Sequence, residues 1–262
     1  MLDHDAATLV GAAAVAGFDA VGLRLSAEHG LATPGQVDEI RLMVEDLGIS
    51  IHDVEVIRVD ATWETAGRPP DIARALLETA AGIGATNILV VSDLPARQAT
   101  SEAVAALVDE AAAFGLTIGL EYMAWTTPAT PADALTMAVD TGCRVIVDVL
   151  HHHRVGAGTT ELDLLAASDR LAWLQICDAA DARVIDLDDF DRDGLIHEAR
   201  HGRLPPGRGV LPLTELVAVT PAATAISVEV QSDELLGLDP EDRARLLATT
   251  TRALLGTEAS GG

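Results

Sequence analysis

The chain contains no lysine: its seventeen basic residues are all arginine, set against 41 acidic residues for a formal charge of −24. Two functional classes fall away at once. Schiff-base chemistry needs a lysine amine, which excludes lysine-dependent aldolases and pyridoxal-phosphate enzymes. Nucleic-acid binders cluster Lys and Arg against the phosphate backbone, and an acidic chain without such a cluster is a poor match. Aromatics are scarce too, at three Phe, three Trp and one Tyr. A core must then be made of Ala, Val, Leu and Ile, which suits buried parallel strands wrapped by Ala-rich helices. Cys143 and Cys177 are the two cysteines. Each sits in an apolar, strand-like run and reads as a buried free thiol, in keeping with a reducing, cytoplasmic setting. The N-terminus shows no signal-peptide pattern, and no apolar run approaches the ~20 residues of a membrane span.

What is present is a repeat. An Ala-rich helical run, a glycine and a Val/Ile/Leu-rich run recur, with the glycines at Gly17, Gly48, Gly84, Gly115 and Gly142, spaced 31, 36, 31 and 27 residues apart. A glycine just past a helix supplies the positive φ of a C-cap, and a strand follows. Helices are expected near 5–16, 34–47, 70–83, 101–114, 132–141, 160–168, 212–219 and 240–255, with further strands at 172–177 and 225–230. Asp71, Ser101 and Asp133 stand near helix starts, where a side-chain oxygen caps free N–H groups. Strict alternation of eight helices with seven clear strands implies a parallel sheet with right-handed crossovers. A length of 262 residues fits one (β/α)8 TIM barrel of about 250 residues, read as a single domain over 1–262. Its first strand is short or missing: the first helix begins almost at Met1, so either Leu2 and its neighbours form a token strand or the start is placed too far downstream. The stretch 178–211 is read as irregular and, following a strand, as belonging to the catalytic face.

Chemistry enters where carboxylates interrupt apolar strands. Six residues after Gly115 stands Glu121, and six after Gly142 stands Asp148; the matching places in earlier units hold Leu23, Val54 and Val90. Glu229 closes the strand Ile-Ser-Val-Glu-Val, and Gln175 holds the matching place in Trp-Leu-Gln-Ile-Cys-Asp. Buried carboxylates are costly unless paired or bound to a metal, and no lysine exists to pair them. Glu121, Asp148 and Glu229 with the Gln175 amide oxygen make a hard-donor set suited to one divalent ion, Mn2+ first, with Mg2+, Co2+ and Zn2+ open. Arg24 and Glu55 stand at strand ends; Glu55 has the wrong register to point inward, since Val54 matches Glu121. Trp63 and Trp125 lie in loops after strands and could wall a pocket.

These residues carry a family likeness. Glu121, the Asp148-Val-Leu-His151 phrase, Gln175-Ile-Cys-Asp178, Glu229, Ala-Gly-Phe-Asp-Ala-Val-Gly-Leu-Arg at 16–24 and Pro-Gly-Arg-Gly at 206–209 resemble the sugar phosphate isomerase/epimerase superfamily of xylose isomerase-like barrels. Two departures stand out: Gln175 where many members have His, which resembles the dehydroshikimate-dehydratase-like branch, and Arg208 where the closing loop often has Glu or Gln. The resemblance implies a divalent-metal-dependent sugar or polyol isomerase or epimerase working through a metal-stabilised enediolate, with Glu121 and Glu229 as base and acid. It places His151 at the substrate. A dehydratase of the inosose or 3-dehydroshikimate type is the alternative, and a non-catalytic sugar-binding paralogue a third. Among Arg154, Arg183, Arg200 and Arg203, whose planar forks match a carboxylate or phosphate, Arg200 leads. Arg200, Arg154, Arg24 and Trp125 are the expected substrate contacts. His152 and His153 read as a surface loop. The expected partner is a small sugar, polyol or hydroxy-carbonyl compound, with no nucleic acid and no membrane; a homo-oligomer agrees with the families resembled.

Overall fold

A computed structural model describes residues 4–25, 32–64 and 69–256. Seven parallel strands form one sheet in sequence order: β1 (Ala20–Arg24), β2 (Ser50–Val59), β3 (Asn87–Ser92), β4 (Thr117–Glu121), β5 (Arg144–Asp148), β6 (Leu171–Ile176) and β7 (Ala225–Val228). They curl into a nearly closed α/β TIM barrel. Among the described residues no strand precedes the first helix, Ala6–Val15; Leu2 lies outside them. β1 and β7 therefore pair on one side only, and a cavity of about 320 Å3 opens between them, floored by Leu9, Ala13, Phe18 and Leu247. The long helices expected from the repeat all form.

The glycine spacing explains why the units turn where they do. Gly17, Gly48, Gly84, Gly115 and Gly142 all have positive φ, between 65° and 83°, so each helix ends in a left-handed residue that reverses the chain into its strand. Side chains on the helix side of the sheet merge into one large aliphatic core. Inside the barrel, Leu89, Val91, Met123, Ile146 and Trp173 form a separate plug. Trp173 fits because residue 119 is glycine: a Cβ there would stand 2.8 Å from both Ile146 and the Trp173 ring. The scarcity of aromatics is thus offset by placing one indole at the centre.

Two stretches differ from expectation. The segment 178–211, read as irregular, contains a ten-residue helix, Arg192–His201. Its composition is polar and it carries Gly194, so its apolar stripe is thin; Asp191 caps it by accepting from the Gly194 N–H at 3.0 Å. His152 and His153 belong to a short helix, Val149–Arg154, rather than a surface loop. His152 is buried, with Nδ1 2.5 Å from the Tyr122 hydroxyl and Nε2 2.8 Å from the Gly158 carbonyl. Cys143 and Cys177 are free and buried. No helix of the described residues is long and apolar enough to cross a membrane.

Candidate metal centre and active site

The register of the sheet determines which strand residues share a face, because side chains alternate with period two. Glu121 pairs with Ile146, so Asp148, two residues on, points to the same side. Asp148 pairs with Gln175. Gln175 pairs with Ser227, which puts Glu229, two residues further, on that side as well. Ile146 belongs to the interior plug, so all four face the barrel axis at the C-terminal ends of their strands. The shared face depends on an irregularity between β5 and β6, where Val145 and Val147 pair with Leu171 and Leu174. That one-residue bulge brings Gln175 opposite Asp148.

The side chains meet. Ligand atoms of Glu121, Asp148 and His151 all lie within 4.8 Å of one another, and all three residues are buried. Glu121 Oε1 stands 4.0 Å from His151 Nε2. Asp148 also caps the Val149–Arg154 helix, its Oδ1 accepting from the N–H groups of Leu150 at 2.8 Å and His151 at 3.1 Å. His151 follows on the first turn of that helix and is aimed back at the cluster. The Gln175 amide donates to Glu229 Oε2 at 2.9 Å, while its buried Oε1 has no hydrogen-bond partner. A buried, unpartnered carbonyl oxygen costs free energy, and this one belongs to the expected donor set. Three inward carboxylates, this amide oxygen and a neutral imidazole are a donor set that fits a hard divalent cation.

Electrostatics make the same point. Burial, reinforced by Glu229 and Asp148, pushes the Glu121 carboxyl well above the usual range. Burial, with Glu229 and Asp53, raises Glu55 to about 8. Burial also opposes ionisation of Asp148, but the charge and hydrogen bond of Arg203 prevail and hold its pKa below the ordinary value. Burial lowers His151 to about 4, leaving a neutral imidazole at physiological pH. Such a crowd of carboxyl groups asks for a cation.

Arg203 supplies one. Its side chain, 3% exposed, donates from Nη1 to Asp148 Oδ2 at 2.5 Å, and Nη2 lies 3.8 Å from Glu229 Oε1. Nε is anchored on the Ala199 carbonyl at 2.8 Å. Sequence reasoning placed Arg203 in the right loop and ranked it below Arg200. The signal for it was the count of buried carboxylates with no lysine to answer them.

The expected substrate contacts divide. Arg24, Trp125 and Arg200 line a mouth cavity of about 300 Å3 together with Glu121, His151, Arg203 and Glu229. Trp125 meets His151 edge-on at 5.1 Å. Arg154 does not line it: only 2% exposed, it grips Glu198 through Nη2 at 2.7 Å and Nε at 3.0 Å and donates to the carbonyls of Arg183 and Asp181. The expectation that Arg154 contacts substrate is corrected accordingly: it anchors the Arg192–His201 helix. Trp63, expected in a loop, lies in the one-turn helix Ala61–Glu64 and packs back on β2, its Nε1 donating to the Arg58 carbonyl at 3.2 Å.

Glu55 is the converse case. The register between β2 and β3 slips, so that Val54 pairs with Ile88 but Ile57 with Val90. Val54 lies before that slip and belongs, with its partners Leu23 and Ile88, to the helix-side core, so simple alternation turns Glu55 toward the axis; the glycine count misled because Val54 is not in phase with Glu121. Glu55 lines both cavities and lies 3.4 Å from Arg24. The Pro206–Gly209 loop is tied to the end of β6 through Asp178, which accepts from the N–H groups of Gly209 at 2.8 Å and Leu211 at 3.0 Å.

Fold and site together define a parallel α/β barrel with a buried carboxylate cluster at its catalytic end. The chain belongs to the xylose isomerase-like TIM barrel family, whose model matches residues 10–253. No curated protein matches it in sequence. Solved structures resemble it in fold. A fusion of a xylose isomerase-like TIM barrel with a 4-hydroxyphenylpyruvate dioxygenase is 20% identical at a TM-score of 0.71; the match takes in 99% of this chain but only 44% of the fusion protein. An IolI protein with a bound zinc atom is 15% identical, with a TM-score of 0.75 and 98% and 95% of the two chains covered. A D-allulose 3-epimerase from Methylomonas sp. is 16% identical, with a TM-score of 0.69 and 97% and 94% covered.

Proposed function

We propose that this protein is a divalent-metal-dependent isomerase or epimerase of a sugar, polyol or related hydroxy-carbonyl compound. The observation that carries the proposal is the unpartnered, buried Gln175 Oε1 beside three inward carboxylates on one face of the barrel. Glu121, Asp148, Gln175 and Glu229 would hold the ion. When bound, it supplies positive charge to a carbonyl and a neighbouring hydroxyl, favouring loss of the intervening C–H proton.

The protein's own groups do the rest. Glu121, at the end of β4, and Glu229, just past β7, would take the proton from one side and return one from the other. A carboxyl whose proton affinity is raised by burial, as at Glu121, is a better base once ionised. Neutral His151 offers a ring nitrogen to a substrate oxygen, and Trp125 against its ring helps exclude water. The runner-up is a lyase, with the same proton loss followed by departure of a β-hydroxyl as water. The amide in the ligand set and the arginines over the mouth favour it.

The test is metal content by mass spectrometry on wild type, Asp148→Asn and Glu229→Gln, with deuterium exchange at carbon beside the carbonyl in keto-sugars and inososes. About one ion per chain, lost in both variants, together with exchange, is the expected result. A folded wild type without metal, without a thermal shift on added Mn2+ or Co2+ and without exchange refutes the reading in favour of a non-catalytic barrel.

A further inference from the structure

The mouth cavity of about 300 Å3 is lined by five arginines, Arg24, Arg58, Arg192, Arg200 and Arg203, in a chain whose net charge is −24. Three are committed. Arg203 is paired with Asp148 at 2.5 Å, Arg24 stands 3.4 Å from Glu55, and Arg58 holds Asp93 through two bonds of 2.9 and 2.8 Å. Arg192 and Arg200 are different: among the described residues neither has a carboxylate within ion-pair distance, although acids outnumber arginines more than twofold.

Their placement is built rather than incidental. Residues 192, 196, 199 and 200 form one stripe of the Arg192–His201 helix, at helical neighbour spacing, and all four line the cavity. The opposite side of the helix is tied down at Glu198, which receives both Arg154 and Arg183, at 2.7 and 2.9 Å. A fixed helix thus presents two uncommitted guanidinium groups over the carboxylate cluster.

We infer that the substrate of this site is an anion. It would present its hydroxy-carbonyl end to Glu121, Asp148, Gln175 and Glu229 and a carboxylate or phosphate to Arg192 and Arg200. This rests on the proposed function and narrows it from neutral sugars to sugar acids, polyol acids or sugar phosphates. The guanidinium fork matches either oxyanion bidentately. Two guanidinium groups without an acidic partner among the described residues, in a chain of strongly negative net charge, also draw such a ligand toward this mouth.

The test is calorimetric binding of three probes to Mn2+-supplemented protein: neutral D-fructose, 2-keto-D-gluconate and D-fructose 6-phosphate. At least one anion binds about tenfold or more tightly than D-fructose, as expected for hydrogen bonds to a charged group. Arg192→Gln/Arg200→Gln lowers the affinity for that anion by about tenfold or more and so removes the preference. Which anion is preferred distinguishes carboxylate from phosphate. Equal affinity for all three, or a preference that survives in the double variant, overturns the inference. Deuterium exchange separates the two proposals: D-fructose that exchanges without any anion preference leaves the enzyme reading standing and the anion reading refuted. An arginine-dependent anion preference with no exchange in any probe does the reverse.

Discussion

Replacing Arg203 by Met would remove the one arginine that, among the described residues, pairs with Asp148 and Glu229. Asp148 is fully buried at its side chain, and its remaining partners would be the N–H groups of Leu150 and His151. Breaking a buried pair from one side leaves an uncompensated charge and costs about 3–5 kcal/mol. Loss of the Nε bond to the Ala199 carbonyl adds about 1 kcal/mol. In a domain of this size each kcal/mol lowers Tm by about 2–4 °C, so the metal-free variant should melt roughly 8–24 °C below wild type. The same change removes a positive charge next to the proposed metal ligands. Added Mn2+ should therefore raise the Tm of Arg203→Met by more than it raises that of wild type, because ligand binding to the folded state adds stability by mass action. Thermal unfolding by circular dichroism, in chelator and in excess Mn2+, gives all four values. A metal-free loss under 1 kcal/mol, or an equal Mn2+ increment in both proteins, would refute the idea that Arg203 balances this cluster.

Three further outcomes follow from the packing and charge. Arg154→Met should cost about 3 kcal/mol or more, since Glu198 is 14% exposed at its side chain and would keep only Arg183; limited proteolysis should then cut first around the Arg192–His201 helix, and an unchanged digestion pattern would argue against the anchoring role. Gly119→Ala places a Cβ 2.8 Å from the Trp173 ring and Ile146, an overpacking cost of about 1–3 kcal/mol measurable by urea denaturation; a neutral result would mean the plug is loosely packed. Glu55, raised to about 8 by burial, binds its proton more tightly folded than unfolded, so its contribution to stability is present at low pH and lost as pH rises from about 4.5 through 8. In chelator, Tm should decline across that window, and Glu55→Gln should flatten the decline; equal slopes in the two proteins would place Glu55 in a more hydrated setting.

How much of this was readable beforehand depends on the kind of signal. The glycines punctuating the repeat were legible because positive φ is a property of one residue and its two neighbours, and Gly17, Gly48, Gly84, Gly115 and Gly142 all adopt it. Counting from them located Glu121 and Asp148, and their phase with Gln175 and Glu229 is the phase the sheet register displays. Glu55 escaped the same count because the sixth residue after the glycine, Val54, faces the helix-side core, whereas Glu121 and Asp148 at that place face the axis; the phase of a strand within the sheet is set by pairing between strands rather than by local sequence. The Arg192–His201 helix escaped because its stability comes from a cap and a buried ion pair to a distant residue, Arg154, rather than from an apolar stripe.

The sequence by itself determined the class of fold, the absence of lysine chemistry and the shared phase of Glu121 and Asp148, because each follows from composition or from short-range periodicity. Only the tertiary structure decided which arginine goes where. Arg154, Arg200 and Arg203 lie within fifty residues of one another and are chemically identical, yet one clamps a helix, one faces the mouth uncommitted and one enters the carboxylate cluster. A guanidinium on a long, flexible stem reports nothing locally about its partner. Its role is set by which carboxylate the folded chain has already buried within reach, and that is a long-range fact.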